Sequence, residues 1–373
     1  MDPGGVETWL INVLKYIDRD LLEFHFCTFG PKPGLLAGEV ERLGGRMLAC
    51  PRGLYPWSFH HRFRKILRQE KYDVVHSHVT LFSGVVLRWA KAEGVPIRIA
   101  HSHITRDDKS DTPIRRRYRR MMESWIQRFA THGLAVSKPA AANLFGKNWE
   151  HDARFRVVSC GIDIGPYQET VTREEIRAGL SIPLEAPVVG HVGRFDPQKN
   201  HHFLLEVARA VLIRRPDVNF LLIGDGPLRT EIESRVSQMG LSNKIHFAGV
   251  RTDVPRLMLG AMDLFTFPSL YEGLGICLLE AQAAGLRCLV SDTVPDEVVR
   301  LPGSVNFISL SAGKDYWATQ VIRELDSAYS KSISPLDDVT RTRFSMQQSV
   351  GPLTEIYLSV QKPSVWSTMQ RHA

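Results

Sequence analysis

The stretch FPSLYEGLGICLLEAQAAGLRCLVSD runs from Phe267 to Asp292, and its order of residue types sets the fold class. An apolar, β-rich run ends at Ser269, a glycine-containing loop carries Glu272, and a helical pattern bearing Glu280 follows until Gly285 stops it. A second apolar run, RCLVSD, then begins, so the segment reads as strand, loop, helix and strand, the unit of a parallel sheet. Two residues eight apart on a helix lie about 12 Å apart along its axis and about 80° apart around it. That span is too long for two carboxylates sharing one reacting oxygen, which need about 5 to 9.5 Å. It suits a ligand with two hydroxyl-bearing ends and a charged middle, with the free N–H groups after Glu272 as a partial positive site for that middle.

The same alternation extends in both directions. EFHFCTFG, RMLAC, YDVVHSH, IRIAHSH, GLAVS and FRVVSCGI form one series of apolar runs, and PVVGHVGR, VNFLLIGDG, IHFAGV, DLFTFPS, RCLVSD and VNFISL form a second. Helical patterns separate them, which predicts an α/β protein of two doubly wound Rossmann-like domains facing across a cleft. Gly165 and Pro166 interrupt the rhythm between the series. The expected division is therefore residues 1–168, residues 169–345, and a helical tail at 346–373 that returns to the first domain.

A second cluster of chemistry lies in VGHVGRFDPQKNHHFLLEVA, Val189 to Ala208. Arg194 follows a strand and Lys199 stands five residues on, at the mouth of a helix expected to begin near Asn200. Two cations and a helix N-terminus at the end of a parallel strand suit a pyrophosphate without a metal. Arginine grips two oxygens at once, and lysine supplies a point charge.

Composition excludes several classes. The 373 residues are 43% hydrophobic and 23% charged, as in an ordinary folded protein, and no apolar run is long enough to span a bilayer. Five cysteines without a C-x-x-C spacing, and no basic-then-apolar leader, point to a cytoplasmic protein in a reducing compartment. The net charge of +7 is uneven: residues 1–170 hold 26 Lys and Arg against 18 Asp and Glu. The densest point is RRRYRR, Arg115 to Arg120, which suggests either a solvated helix face or peripheral contact with an anionic membrane or lipid-linked phosphate. No zinc-finger spacing or aromatic RNP-like run accompanies it, so nucleic acid is not an expected partner.

Three further patterns lead away from metals and hydride chemistry. His76/His78 and His101/His103 each place two imidazoles on one face of a strand. Tetrahedral zinc accepts four nitrogens, but no cysteine or third cluster accompanies these runs, and no metal or other cofactor is expected. The D-x-D at Asp18 to Asp20 sits at a helix end rather than a strand end, and GDGPLR at Gly224 to Arg229 lacks the third glycine of a dinucleotide fingerprint.

Together these residues resemble the retaining glycosyltransferases of the GT-B fold that carry an E-x7-E motif, in particular the bacterial capsule and exopolysaccharide enzymes. YEGLGICLLE is similar to that motif, with Glu272 and Glu280 as its acids; GRFDPQKN resembles the phosphate-binding segment and GIDIGPY the inter-domain hinge. The resemblance implies a metal-independent hexosyltransferase using a nucleotide diphosphate sugar, commonly a UDP-sugar, and a glycan or lipid-linked acceptor held by the basic domain. It implies that Glu272 faces the transferred sugar, Glu280 holds the ribose, and Arg194 and Lys199 neutralise the diphosphate. Backbone at Val250 and Arg251 would meet the base, and the amides of Gly273, Leu274, Gly275 and Ile276 would contact sugar or phosphate. IAHSH resembles the strand end that brings a histidine to the sugar; the offset falls between His101 and His103, with His103 preferred.

In that family the GGVE segment, here beginning at Gly4 and Gly5, follows the central strand of the first sheet and forms a ligand loop. Only Met1, Asp2 and Pro3 precede it here. The expectation is a first domain lacking its first strand, through a truncated chain or a mis-set start. Two alternatives remain open: a catalytically weak nucleotide-sugar-binding partner subunit, and a sugar-nucleotide epimerase or hydrolase of the same architecture.

Overall fold

A computed structural model describes residues 4–30, 34–51, 56–106, 111–299, 303–327 and 342–361. The chain divides into two compact units, Met1–Gly161 with Met346–Ala373, and Ile162–Ser345. The anticipated border at 168/169 thus falls inside the second unit. There Ile162 N–H donates to the Phe344 carbonyl at 2.8 Å and Ile162 bridges Ser345 in parallel, tying together the two chain segments that enter and leave this unit. Gly165 and Pro166 open a short 3-10 turn, Gly165–Gln168, whose Tyr167 is buried in the same unit.

The second unit holds six parallel strands, β7 (Val188–Val192), β8 (Asn219–Ile223), β9 (Ile245–Gly249), β10 (Leu264–Phe267), β11 (Arg287–Ser291) and β12 (Val305–Ile308). They pair in the order β12-β11-β10-β7-β8-β9, so the order reverses at the β7/β10 junction and leaves a crevice at the strands' carboxyl ends. Every residue of β8 and β10 is buried. Helices covering both faces explain why these runs are continuously apolar rather than alternating.

One polar knot anchors the start of that sheet. The helix Arg173–Gly179 carries Arg177, 1% exposed, whose guanidinium donates to the carbonyls of Leu184, Ala186 and Ala261 and to the Asp263 carboxylate at 2.8 Å. Asp263 also accepts from Arg173 and from the Val188 N–H that begins β7. Burial lowers the Arg177 pKa, and Asp263 opposes that shift.

The first unit is built differently. Strands β3 (Val74–Ser77), β4 (Ile97–Ser102), β5 (His132–Ala135) and β6 (Phe155–Val157) form a parallel sheet, whereas β1 (His25–Thr28) and β2 (Arg46–Ala49) form a separate pair. Among the described residues no ladder joins β1 to β3. Side chains link the two pieces instead: His25 Nδ1 lies 2.6 Å from the Tyr72 hydroxyl. Tyr357, from the helix Met346–Leu358, sets its ring against Phe24 and its hydroxyl 2.7 Å from His76 Nδ1. That helix packs on α1 (Gly5–Tyr16), which buries Trp9, Ile11, Val13 and Leu14. Residues 362–373 of the anticipated tail, and Met1 to Pro3, lie outside the described residues. No helix among those described is long and apolar enough to cross a membrane.

Replacing Asp263 by Ala would strand a buried guanidinium without its counter-charge. We expect Asp263→Ala to lower unfolding stability by about 3 to 5 kcal/mol in urea melts, and a near-neutral result would show that the carbonyls alone satisfy Arg177.

Candidate functional site

The carboxyl ends of β7 and β10 in the second unit each lead into a loop, and the loops grip one another. After β7 the chain makes a 3-10 turn, Pro197–Lys199, capped by the Asp196 side chain, and Asn200 then adopts a left-handed conformation before the helix His201–Arg214. Lys199 therefore stands in a tight turn one step ahead of the helix rather than at its mouth. Across from it, Glu272 is 5% exposed and accepts from Lys199 Nζ at 2.5 Å and from Gln198 Nε2 at 3.2 Å. Gln198 also donates to the Tyr271 carbonyl at 3.0 Å, and Leu270 N–H to the Gln198 carbonyl at 2.8 Å. Burial opposes the Lys199 charge, but the Glu272 carboxylate outweighs it and raises the ammonium above its ordinary range. The lysine also lies 4.7 Å from the Phe267 ring centre, which favours a cation.

Close backbone approach shapes the floor. At Gly224 a β-carbon would sit 2.1 Å from the Gly193 carbonyl oxygen, so both strand ends meet only because position 224 lacks a side chain. Gly275, at φ 85° and ψ 58°, turns the chain into the helix Ile276–Ala283. Gly273, Leu274 and Gly275 are buried and Ile276 is partly so. Among the described residues the amides of Leu274, Gly275 and Ile276 donate to no acceptor, which leaves three N–H groups at a helix start able to receive an anion.

Glu280 lies one helical face further on. Burial raises its carboxyl to about 7, and among the described residues that carboxyl accepts no hydrogen bond. The hydroxyl of Tyr167 is buried without a partner, and burial together with the Glu280 charge pushes its pKa up. The Arg194 guanidinium is exposed and makes no ion pair among the described residues, so it is available to an anion. Val250 is 43% exposed just after β9, while the Arg251 guanidinium is taken by Asp253 at 2.6 Å, leaving only backbone for a ligand there.

The first unit assembles another group. Gly4 is the extended N-cap of α1, Gly5 begins the helix, and Trp9 packs its ring against His78, His101 and His103. His101, at the end of β4, is fully buried with Nδ1 3.1 Å from His76 Nε2; His103, just past the strand, has Nε2 2.8 Å from His78 Nδ1. Burial, reinforced by the neighbouring imidazoles, holds His76, His101 and His103 well below the usual histidine range, and burial alone takes His78 to about 3. The two His-Ser-His runs, which seemed too few for a cluster, meet because their strands are neighbours.

Sequence reasoning missed Gln198 and Tyr167. Both stand beside singled-out residues, in DPQKN and GIDIGPY, and a polar side chain next to a proposed ligand group was the available signal. It also passed over His191, which bonds the Thr266 carbonyl at 2.9 Å beneath the Lys199 turn and is lowered to about 4 by burial.

Comparison with known proteins fits this geometry. Residues 3–165 match the family model "Glycosyltransferase Family 4" and residues 172–300 match "Glycosyl transferases group 1". The chain is 31% identical to the putative glycosyltransferase EpsF of Bacillus subtilis over 96% of this chain and 94% of that one. It is 27% identical to the capsular polysaccharide biosynthesis glycosyltransferase CapH of Staphylococcus aureus over 96% of each. In structure it is similar to HepE of Anabaena, solved with UDP and glucose, at a TM-score of 0.78 with 20% identity, covering 96% of both chains. The two units are the Rossmann-like domains of a GT-B fold, and the chain belongs to the group 1 glycosyltransferases.

The raised Glu280 carboxyl makes stability depend on pH. The folded state retains a proton that the unfolded chain releases near 4.5, so this carboxyl costs stability as pH rises from 4.5 to about 7 and no further above that. Glu280→Gln should match the wild type in thermal melts near pH 4.5 and exceed it by about 1 to 3 kcal/mol near pH 8. An equal gain at both pH values would mean that the carboxyl is not desolvated.

Proposed function

We propose that the protein is a retaining, metal-independent hexosyltransferase that moves a sugar from a nucleotide diphosphate, UDP by preference, to a glycan or lipid-linked acceptor. The observation that carries this reading is the Lys199–Glu272–Gln198 cluster beside unpaired amides at one strand-end crevice of the second unit. An incoming diphosphate takes the Lys199 charge and the exposed Arg194, which releases Glu272 toward the sugar. The amides of Leu274 to Ile276 receive phosphate or sugar oxygens, and Gly273 lets the backbone approach. Glu280, backed by Tyr167, accepts from the ribose hydroxyls, and the backbone of Val250 and Arg251 meets the base. The bond from the anomeric carbon to the diphosphate breaks as the acceptor oxygen attacks on the same face, and the acceptor proton leaves with the diphosphate. His103, less buried than His101, is the histidine proposed to reach the sugar, with the Gly4-Gly5 turn lining the acceptor side.

Division of labour along the E-x7-E span has a kinetic signature. Lys199→Ala and Glu280→Ala should raise the donor dissociation constant by about 10- to 100-fold, with UDP binding alike in EDTA and in Mg²⁺. Glu272→Ala should lower kcat by roughly 10²- to 10³-fold. Equal loss of donor affinity in all three variants contradicts the assignment, and sugar release without acceptor-dependent product favours a hydrolase.

The first unit also offers a surface for the acceptor's surroundings. The helix Pro113–Phe129 exposes Arg117 and Arg120 together with Ile114 (82% exposed) and Met121 (44%). Ile114, Arg117 and Met121 follow helical spacing on one side, pairing cations with apolar side chains that an anionic bilayer accepts. Arg115/Arg116/Arg117→Ser should lose about 1 kcal/mol of vesicle binding per arginine in co-sedimentation with phosphatidylserine vesicles. Equal, salt-insensitive binding by both proteins removes the membrane from the proposal.

A further inference from the structure

The histidines of β3 and β4 assemble more than the transfer reaction uses. His76 pairs in register with Ile99 and Ser77 with Ala100, so the next level sets His78, just past β3, beside His101, and alternation puts all their rings on one face. His76 Nε2 and His101 Nδ1 stand 3.1 Å apart, and His76, His78 and His101 each offer a ring nitrogen such that all three lie within 4.8 Å of one another. Nitrogens bound at about 2.05 Å to a tetrahedral ion are separated by about 3.3 Å, so the His76–His101 spacing already fits and the third nitrogen, within 4.8 Å, has to draw closer.

Hydrogen bonding alone leaves the cluster incomplete. The run from the Tyr357 hydroxyl to His76 Nδ1, and from His76 Nε2 to His101 Nδ1, ends at His101 Nε2, which is buried with no partner. Each neutral imidazole has one N–H and one lone pair, so whichever way the protons are arranged one end of this chain is unsatisfied. An ion bound by His76 Nε2 and His101 Nδ1 would replace the contact between these two nitrogens, which face each other at 3.1 Å, while His101 Nε2 keeps the proton. His76 could then donate its Nδ1–H to Tyr357, the outer contact that fixes a metal-bound histidine.

We propose that His76, His78 and His101 form a binding site for a divalent first-row transition metal, Zn²⁺ foremost, within the first unit. Three imidazoles and no carboxylate select zinc, copper or nickel over magnesium or calcium. Trp9 covers the rings at centroid distances of 6.1 Å to His78 and 5.4 Å to His101, so the site is walled on one side by an apolar ring. All three ligands lie in the first unit, and His78 also bonds His103, the histidine of the transfer proposal, at 2.8 Å.

Titration of chelator-stripped full-length protein with Co²⁺ tests the proposal. One Co²⁺ per chain should bind with the intense visible absorption of tetrahedral coordination, be displaced by one equivalent of Zn²⁺, and raise the melting temperature. His76→Gln and His78→Gln, each checked for folding by circular dichroism and UDP binding, should lose the absorption. His60→Gln/His61→Gln, on the helix Pro56–Glu70 away from these strands, should keep it. Tyr357→Phe retains all three imidazoles and should weaken Co²⁺ binding by about 10- to 100-fold. Absence of the tetrahedral absorption in the wild type overturns the site, as does its persistence at full strength in His76→Gln, His78→Gln or Tyr357→Phe.

Discussion

The contact between Lys199 and Glu272 is the constraint on which the second unit's chemistry depends. Parallel strands deliver their following loops to the same sheet edge, and the reversal of strand order between β7 and β10 separates those loops enough to hold a ligand. An ion pair removed from water returns little net stability, since desolvation offsets the attraction. Its value lies in holding two loops at fixed positions with a cation and an anion ready for exchange. Gln198 and the Asp196 cap keep the lysine turn in place, and Gly275 allows the helix to start directly behind the glutamate. The unpaired amides at that helix start belong to the same loop as the glutamate that holds the lysine.

The two units solve the problem of a parallel sheet in different ways. In the second, six strands pair continuously and the Arg177–Asp263 knot fastens the N-terminal ends of β7 and β10. In the first, the strands form two pieces linked by aromatic and imidazole side chains. Tyr357 touches Phe24 on one side and His76 on the other, which makes a helix remote in sequence part of this core. Neutral imidazoles suit that position because most of their polar atoms pair with one another or with Tyr357 while their rings pack as apolar surface.

Much of this was legible in the residues themselves. Short continuous apolar runs such as VNFLLIGDG, closed by glycine, read as strands buried on both faces, and their alternation with helical patterns leaves a doubly wound sheet as the economical solution. The placement of Glu272, Gly275 and Glu280 along a strand-to-helix turn was readable from the loop glycines and the helical spacing that follows. Gln198 and Tyr167 were not, since a glutamine in a turn and a tyrosine after a proline are commonplace until a partner is seen across the fold.

The sequence by itself therefore determined the secondary-structure rhythm, the parallel sheets and the acidic and basic residues at strand ends, because each depends on local spacing. Tertiary structure alone decided which groups meet. It joined Lys199 to Glu272 across 73 positions of chain and His76 to His101 across 25, and it brought Tyr357 back to His76 from 281 positions away. It also left Arg194 without an ion-pair partner among the described residues while giving Arg251 to Asp253. The long-range pairings follow from strand order and loop closure, which no local pattern encodes, and for that reason the two His-Ser-His runs, noted as four possible nitrogens, did not show that they meet.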